Sequence, residues 1–286
     1  MNSFHARNSK PRAKAADKQP RAATAGTRAD QMLVERGLAA SRTAAQRLIA
    51  AGRVQWRSGQ GDQPITKPAE QLPASAELLV AADSDDRFVS RGGLKLAGAL
   101  AATKIDVSAR ICLDLGQSTG GFSDCLVQAG AAKVVGVEVG HGQLHAKLAE
   151  DARIVTLEGI NARALTPADL GEHWPAGGFA FVTGDLSFIS LTLILPAAAA
   201  MMAGGADLLM LVKPQFEVGP QGVAKGGIVR DTSLYAEVEA KIRACCTENG
   251  LAVEGWYDSP IAGGDGNREF FVHARRAPDV HGTHTT

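Results

Sequence analysis

Cysteine is scarce in this 286-residue chain, and its four cysteines are not spaced to bind a metal. They are Cys112, Cys125, Cys245 and Cys246, and none of them belongs to a Cys-x-x-Cys motif. This excludes a disulfide-rich secreted scaffold and the usual cysteine-based zinc sites. Cys112 and Cys125 lie in segments that we expect to be buried, which is typical of reduced thiols in the cytoplasm. We predict no metal.

A continuous apolar segment that could cross a membrane is also missing. The nearest approach is a stretch of 21 residues without charge between Asp185 and Asp207, which is long enough to span a bilayer. Polar residues, proline and glycine interrupt it, and we expect a strand end followed by a buried helix. The first 27 residues are polar and basic, so we expect no secretory signal, no membrane partner and a cytoplasmic location.

The chain has no net charge, but its basic residues are concentrated near the amino terminus. Residues 1–82 hold 13 Lys/Arg and 6 Asp/Glu, whereas residues 83–286 hold 17 and 24. The composition of residues 1–27 predicts a disordered basic tail, and we expect disorder in about the last ten residues as well. The basic residues 1–82 either bind a polyanion such as RNA or form a solvated face with a flexible tail.

The most informative glycine-rich segment lacks both the Gly-x-Gly-x-x-Gly pattern and the P-loop Lys-Ser/Thr pair. Residues 114–122 read Asp-Leu-Gly-Gln-Ser-Thr-Gly-Gly-Phe and follow an apolar run at 109–113. A predicted helix ending at Gly130 comes next, and a predicted strand then ends at Glu138. This is the plan of a nucleoside-binding βαβ unit, in which the acid binds the ribose hydroxyls. The spacing favours S-adenosylmethionine over a dinucleotide, although such turns also occur without a ligand.

Residues 83–286 alternate predicted strands and helices, which is typical of a parallel sheet with helices on both faces. We therefore predict an α/β, Rossmann-like domain with a mostly parallel sheet, whose last two strands form an antiparallel end. The predicted strands cover residues 111–115, 134–138, 154–157, 179–185, 207–213, 253–259 and 269–274.

Residues 28–82 predict a small, separate α+β domain. Helices are expected over 28–37, closed by Gly37, and over 42–51, with Ser41 as the N-cap; strands are expected at 54–56 and 77–80. The pattern Arg-x-Asp-x-x-Leu-x-x-x-Gly-Leu-x-x-Ser-Arg-x-x-Ala-x-x-Leu-Ile-x-x-Gly-x-Val, which begins at Arg28, resembles the S4 RNA-binding domain. That resemblance implies RNA contacts from Arg28, Arg36, Arg42, Arg47 and Arg53.

Most of the chain resembles the TlyA family, whose members are rRNA 2′-O-methyltransferases often named haemolysins. Their plan is an S4 domain followed by an FtsJ-like methyltransferase domain, here residues 28–82 and 83–286. Two departures are minor: Gln117 stands where a small residue is expected, and Glu138 replaces the commoner aspartate. The matching stretches are 90–96, 114–125, 139–144, 161–163, 185–190, 212–219, 226–231 and 266–270.

The FtsJ-like resemblance implies a Lys-Asp-Lys-Glu catalytic set on Lys95, Asp185, Lys213 and Glu269. A ribose hydroxyl is a poor nucleophile and must lose its proton as it attacks a sulfonium methyl. We hypothesise that Lys213 is the base, because a second ammonium and partial desolvation would weaken its hold on a proton. Asp185 and Glu269 would hold the lysines. Lys95 could instead orient the substrate, and an ion pair of Lys213 with Asp185 could be purely structural.

The expected binding residues fall into two groups. For S-adenosylmethionine we expect Gly116, Ser118, Gly120 and Gly121 to lie near the methionine portion, and we call residues 116–121 the glycine loop. We expect Glu138 at the ribose and Asn161 near the adenine. Asp114 either supports the methionine amine or is structural. Ser90 and Arg91 are expected to contact an RNA phosphate or the target ribose. The full cofactor set is Asp114, Gly116, Ser118, Thr119, Gly120, Gly121, Glu138, Asn161 and Asp185.

The resemblance implies S-adenosylmethionine-dependent 2′-O-methylation of a ribose, that of a cytidine, in ribosomal RNA. The expected partners are ribosomal RNA and ribosomal subunits, and no obligate protein partner is evident. Methylation of a base nitrogen would require an Asn/Asp-Pro-Pro-aromatic turn, but residues 185–188 read Asp-Leu-Ser-Phe. Two alternatives are an RNA-binding, ribosome-associated protein with a vestigial methyltransferase domain and a membrane-active haemolysin. The haemolysin would need a spanning or amphipathic segment, and we find none.

Overall fold

The structure is a computed structural model that describes residues 26–39, 41–59, 61–81, 87–263 and 266–279. The predicted basic tail, except residues 26 and 27, and most of the carboxyl-terminal segment predicted to be disordered lie outside the described residues. The chain divides into two compact units, with the boundary between residues 82 and 83.

The first unit combines two helices with short antiparallel strands. Both predicted helices are present, and the Ser41 side chain caps the second by accepting from the Ala44 amide at 3.2 Å. The prediction that the first helix starts at Arg28 was wrong, because Arg28 lies in a strand. The elements are β1 (Thr27–Arg28), α1 (Ala29–Glu35), α2 (Arg42–Ala50), β2 (Val54–Ser58), β3 (Gly61–Pro64), β4 (Gln71–Leu72) and β5 (Glu77–Val80).

These strands form two small sheets around one apolar core. β1 pairs with β4, and β2 lies between β3 and β5. Apolar residues three to four positions apart place one face of each helix in the core, where Leu33, Ala45 and Ile49 pack with Val54.

A buried carboxylate joins the two helices of the first unit. Asp30 is fully buried and accepts from the Arg28 guanidinium at 2.8 and 2.9 Å, from Gln46 at 3.0 Å and from Arg42 at 3.2 Å. These contacts, that with Arg28 above all, hold the pKa of Asp30 well below its usual range. A lowered folded-state pKa means that the ionised carboxylate stabilises the fold at neutral pH. That stabilisation is lost as the pH falls below about 4, the pKa of an aspartate in an unfolded chain.

We therefore expect Asp30→Asn to lower the free energy of unfolding of the first unit at pH 7 by roughly 1–2 kcal/mol. The effect is no larger because the arginines that pair with Asp30 are partly exposed. Hydrogen exchange of residues 29–50 should accelerate, and the difference from the wild type should shrink between about pH 5 and pH 3. Equal exchange in the two proteins at pH 7 would contradict the assignment.

The second unit alternates strands and helices along the chain. Short 3₁₀ helices occupy Ala162–Ala164, Gly171–His173, Leu191–Leu193, Pro214–Phe216 and Pro220–Gly222. The other elements are α3 (Arg91–Thr103), β6 (Ile111–Leu115), α4 (Gly121–Gln128), β7 (Lys133–Glu138), α5 (Ala146–Ala149), β8 (Ile154–Glu158), α6 (Pro167–Leu170), β9 (Phe179–Gly184), α7 (Leu195–Ala200), β10 (Met202–Val212), α8 (Ser233–Glu248), β11 (Leu251–Asp258) and β12 (Phe270–Arg276).

The strands of this unit form one seven-stranded sheet in the order β11-β12-β10-β9-β6-β7-β8. Every neighbouring pair is parallel except the two that involve β12. This confirms the predicted α/β, Rossmann-like fold, although β10 begins at Met202 rather than at residue 207. The strand order reverses between β6 and β9, and in such sheets ligands bind beyond the carboxyl ends of the strands at that point.

Alternation along the strands fills both faces of the sheet. Leu113, Val135 and Val182 pack on one face with α7 and α8. Cys112 and Phe181 pack on the other face with α3 and α4. Successive side chains of a strand point to opposite faces, so strands covered on both sides are apolar at almost every position.

The uncharged stretch that follows Asp185 contributes to this interior. It contains α7, whose Leu195, Ala198 and Ala199 are buried, and the start of β10. No helix among the described residues combines the length and the apolar character that a membrane crossing requires. All four cysteines are buried and unbridged, which confirms the expectation for Cys112 and Cys125.

Candidate active site

Lys95 lies on a helix that the sequence did not lead us to predict. Glycine disfavours helices, yet α3 contains three glycines. A Cβ atom at Gly93 would lie 2.3 Å from the Phe88 ring, and one at Gly98 would lie 2.6 Å from Pro260. The glycines therefore allow close packing of α3, which holds the nearly buried Lys95 at the edge of the sheet.

Two lysines and two acids meet at that edge in an alternating chain. Lys95 Nζ lies 2.6 Å from Glu269 Oε2 and 4.0 Å from Asp185 Oδ2. Lys213 Nζ lies 2.6 Å from Asp185 Oδ1. The order is thus Glu269–Lys95–Asp185–Lys213, with Asp185 between the two ammonium groups. We call these four residues the charged cluster.

Each member of the charged cluster comes from a different element. Asp185 follows β9 and Lys213 follows β10, as predicted from the strand ends. Glu269 precedes β12, and because β12 runs antiparallel to β10, its start lies at the same edge. The side chains of Lys95 and Lys213 are 10% exposed and that of Glu269 is 3% exposed. Charges this buried are tolerated only when they are paired.

The charged cluster lies where two cavities meet. The larger cavity has a volume of about 630 Å³ and the smaller one about 290 Å³, and Ser187, Phe188 and Lys213 line both. Lys95 and Glu269 line the smaller cavity and Asp185 the larger. Two molecules, one bound in each cavity, would therefore come into contact beside Lys213.

The larger cavity contains most of the predicted cofactor residues. Its wall also has apolar side chains suited to a flat ring, among them Val139, Ile160 and Leu186. Ser90, which was predicted to contact RNA or the target ribose, also lines this cavity. The predicted cofactor residues that line it are Gly116, Ser118, Thr119, Gly121, Glu138, Asn161 and Asp185.

Glu138, which lines this cavity, stabilises the glycine loop by hydrogen bonds. Its carboxylate accepts from the Ser118 amide at 2.9 Å and from the Gly140 amide at 2.8 Å. The loop has positive φ at Gly116 (78°) and Ser118 (49°), which turns the backbone sharply after β6. Each carboxylate oxygen keeps acceptor capacity for a hydroxyl group.

Asp114 and Gly120 are the two predicted cofactor residues that do not line the cavity. Asp114 is fully buried and accepts from Ser123 Oγ at 2.7 Å; that hydroxyl accepts from Gln117 Nε2 at 2.9 Å. Burial raises the pKa of Asp114 to about 7. A Cβ at Gly120 would lie 2.5 Å from Leu148. Asp114 is thus buried behind the glycine loop, and Gly120 packs closely against Leu148.

The unusual Gln117 has a steric counterpart in the next strand. A Cβ at Gly136 of β7 would lie 2.1 Å from the Gln117 amide group, so the glycine leaves room for that side chain. Gln117 is nearly buried and donates to Ser123. The side chain therefore fills the interior behind the loop.

Intramolecular contacts engage several of the predicted RNA-binding arginines. Arg28 and Arg42 pair with Asp30. Arg36 donates to the Ala74 carbonyl at 2.7 Å and to that of Ala76. The guanidinium of Arg53 donates to the Ala81 carbonyl at 2.7 and 3.0 Å.

The other predicted RNA-binding residues occupy surfaces of their own units. Arg47 is exposed on α2. Arg91 is exposed at the start of α3, with one nitrogen 3.5 Å from the Ala262 carbonyl, and its neighbour Ser90 lines the larger cavity. Across the described ranges, no group of three or more His, Cys, Asp or Glu side chains is arranged to hold a metal ion.

Phe188 is a site residue that the sequence analysis did not single out. Its side chain is 91% exposed, its φ is +64°, and its ring centroid lies 5.3 Å from that of Phe216. A large, exposed aromatic side chain in a strained backbone conformation is unusual. The signal in the sequence was its position three residues after Asp185.

Asn267 fixes one wall of the smaller cavity. Its side chain accepts from the Val229 amide at 3.0 Å and donates to the Gly227 carbonyl at 2.8 Å. Gly227 and Val223 line the smaller cavity. The glycine-rich segment that they belong to is thus attached to the residues just before β12.

Comparison with known proteins shows which family this chain resembles. Residues 88–276 match the family described as FtsJ-like methyltransferase. The 16S/23S rRNA (cytidine-2'-O)-methyltransferase TlyA of Mycobacterium tuberculosis is 44% identical over 252 residues, which cover 88% of this chain and 91% of that protein. Hemolysin A of Brachyspira hyodysenteriae is 35% identical, with coverage of 86% and 98%.

A solved structure from Streptococcus thermophilus, whose name places it among the hemolysins, has the same fold over most of its length. It is 39% identical, with a TM-score of 0.68 and coverage of 90% of this chain and 92% of that one.

Proposed function

Since this chain belongs to the FtsJ-like methyltransferase family, together with the TlyA proteins, we propose that it methylates a ribose 2′-hydroxyl in ribosomal RNA. We propose S-adenosylmethionine as the methyl donor, a cytidine as the target and the cytoplasm as the location. The observation that supports this most strongly is the charged cluster at the meeting point of two cavities.

The lining of the larger cavity supports S-adenosylmethionine as the methyl donor. Glu138 would bind the ribose hydroxyls, Val139 and Ile160 would pack on the adenine, and Asn161 would contact its edge. The turn at Gly116 would lie against the methionine portion, with Asp114 supporting it from behind. When bound, the cofactor supplies an electrophilic methyl group on a sulfonium.

Lys213 is the proposed general base. It lines both cavities, so it would lie between a donor in one and an acceptor hydroxyl in the other. Its Nζ contacts Asp185 at 2.6 Å and donates to Ser187 Oγ at 2.8 Å, which fixes the direction of the side chain. In its neutral amine form, Lys213 would take the proton of the ribose hydroxyl as the oxygen is methylated, and the resulting ammonium would be paired with Asp185.

Lys95 is proposed to orient the ribose rather than to take its proton. Its ammonium is held by Glu269 at 2.6 Å and faces the smaller cavity. An ammonium in this position can donate to a ribose oxygen. Positioning of the two reactants is the larger part of catalysis in a simple in-line transfer.

The smaller cavity is proposed to receive the target nucleotide, extruded from the surrounding RNA structure. Phe188 and Phe216 present aromatic faces there, and unstacked bases bind to such faces in RNA-protein complexes. The first unit, over residues 28–82, is proposed to be an S4-like domain that docks on structured RNA, with the exposed Arg47 and Arg42 contacting phosphates.

The test is methyl transfer from labelled S-adenosylmethionine to separated 30S, 50S and 70S particles that lack the modification. Nuclease digestion then identifies the labelled nucleoside. We expect 2′-O-methylcytidine from at least one particle. A methylated base, or no label despite cofactor binding, would refute the proposal.

Phe188→Ala is expected to lower kcat/KM for the RNA by roughly 10- to 100-fold, since stacking on an aromatic contributes about 1–3 kcal/mol per base. The melting temperature should stay near the wild-type value, because the ring is 91% exposed. The affinity for S-adenosylmethionine should change little, because Glu138, Val139 and Asn161 are retained. Phe188→Trp, which keeps a stacking face, should retain most activity. An equal loss in both variants would contradict the stacking role.

A further inference from the structure

Glu217 is a buried acid that the proposed chemistry does not use. Its side chain is only 2% exposed, and it lies four residues after Lys213 at the end of a 3₁₀ turn. An ionised carboxylate in such a place is unfavourable unless its oxygens are bonded. The partners of its carboxylate come from two other segments, the loop after β9 and the helix α8.

Both oxygens of the Glu217 carboxylate are engaged. Oε1 accepts from the Leu191 amide at 2.6 Å, and Oε2 accepts from Ser190 Oγ at 2.6 Å and from Lys241 Nζ at 2.7 Å. Lys241 also donates to the Glu217 carbonyl at 3.1 Å and to Ser190 Oγ at 3.3 Å. Bonds of this kind to an ionised group are short and comparatively strong.

These contacts join the two segments that carry Asp185 and Lys213. The loop 185–191 and the turn 213–217 meet at three points along their length. Lys213 contacts Asp185 and Ser187, Phe216 packs on Phe188, and Glu217 binds Ser190 and Leu191. The Glu217 contacts lie farthest from the charged cluster and close the far end of the loop.

The loop needs such an anchor because of the conformation of Phe188. A φ of +64° is costly for a residue with a Cβ atom, and Phe216 is the only aromatic ring paired with that of Phe188 among the described residues. A loop free at one end would relax to an ordinary conformation and turn the ring away. With Asp185 held at one end and Ser190 and Leu191 at the other, the strained conformation is retained.

We infer that Glu217 is a positioning residue of the methyltransferase, which clamps the loop 185–191 to the turn 213–217 and so sets Phe188 and Asp185 relative to Lys213. The inference rests on the proposed function, because it concerns the same site. It assigns no contact with cofactor or substrate to Glu217, which lines neither cavity.

The test compares Glu217→Gln with the wild type and with Glu237→Gln, the same charge change at an exposed position of α8. We expect kcat of Glu217→Gln to fall by about 10- to 100-fold, since misplacement by about 1 Å can have such an effect. The Kd for S-adenosylmethionine should change less than about threefold, because Glu138, Val139 and Asn161, which are proposed to bind the ribose and the adenine, lie on other segments. Glu237→Gln should match the wild type.

Coupling to Phe188 separates a positioning role from a merely structural one. If Glu217 acts through the loop, Glu217→Gln added to Phe188→Ala should cost much less than the product of the two single effects. A lower melting temperature with unchanged kcat at a temperature where the protein is folded would overturn the inference, as would full multiplication of the effects. If Glu217→Gln does not fold, Ser190→Ala removes one contact without leaving an unpaired buried charge, and it should still lower kcat.

A readout that needs no activity keeps this inference distinct from the proposed function. Hydrogen exchange over residues 185–192 should accelerate in Glu217→Gln and not in Glu237→Gln. Unchanged exchange would refute the clamp even in a protein that methylates no RNA. An active wild type with an unaffected Glu217→Gln would refute the clamp and leave the proposed function intact.

Discussion

Replacing Lys213 with methionine is expected to reduce methyl transfer by about 10²- to 10⁴-fold, the usual contribution of a positioned general base. Methionine keeps the length of the side chain but cannot accept a proton. Its neighbour Asp185 is partly exposed, so loss of the 2.6 Å ion pair should not unfold the chain. Single-turnover methylation of the particle identified as substrate measures the effect.

Cofactor binding is the internal control for Lys213→Met. The Kd for S-adenosylmethionine, measured by calorimetry, should remain within about threefold of the wild type, since the larger cavity keeps Glu138 and its apolar wall. The matched variant is Lys104→Met, at an exposed lysine just after α3, and it should be fully active. Substantial activity of Lys213→Met would remove Lys213 from the role of base.

Glu269→Gln is expected to have the largest effect on stability. It removes the 2.6 Å partner of Lys95 and leaves an ammonium that is 10% exposed without its main counter-charge. Breaking one side of a buried ion pair typically costs about 3–5 kcal/mol of unfolding free energy. Denaturant titration of the full chain measures this, and methyl transfer should be lost as well.

A double substitution separates the contribution of the Lys95–Glu269 pair to stability from its contribution to the reaction. In Lys95→Met/Glu269→Gln the stranded charge is gone, so most of the lost stability should return. Activity should not return, because Lys95 is proposed to orient the ribose. Recovery of activity together with stability would show that the pair is only structural.

A neighbouring ion pair that is exposed provides the control for the substitutions of Lys95 and Glu269. Arg268 and Asp258 contact at 2.7 Å, and both side chains are more than half exposed. Asp258→Asn should change the unfolding free energy by less than about 1 kcal/mol. A loss as large as that of Glu269→Gln would mean that burial does not govern the effect.

The sheet could be predicted because its pattern is local. Strands covered on both faces are apolar nearly throughout, and glycines and acids mark where they end. Asp185 and Lys213 could be assigned to one edge for the same reason: each follows directly on a strand, and parallel strands end together. The resemblance to a known family then supplied the partners Lys95 and Glu269.

The helix that carries Lys95 could not be predicted from its composition. Helix propensity counts Gly92, Gly93 and Gly98 against α3, whereas the packing of Phe88 and Pro260 requires two of them. Gln117 stood out as oversized for its position, and only the absent Cβ of Gly136 in a neighbouring strand explains it. Pro260 is distant from Gly98 in sequence, and Gly136 lies on a different strand from Gln117, so no local pattern shows either contact.

The sequence by itself determined the order along the chain of the seven strands of the large sheet, the glycine loop and the identity of the four charged residues, because each depends on local pattern or on a motif. Only the tertiary structure decided which charges meet: Glu269 reaches Lys95 because β12 runs antiparallel to β10. It also buried Asp114 behind the loop and connected Glu217 to Ser190 and Leu191. The physical reason is that burial and pairing energies depend on contacts between segments far apart in the chain, which no local pattern encodes.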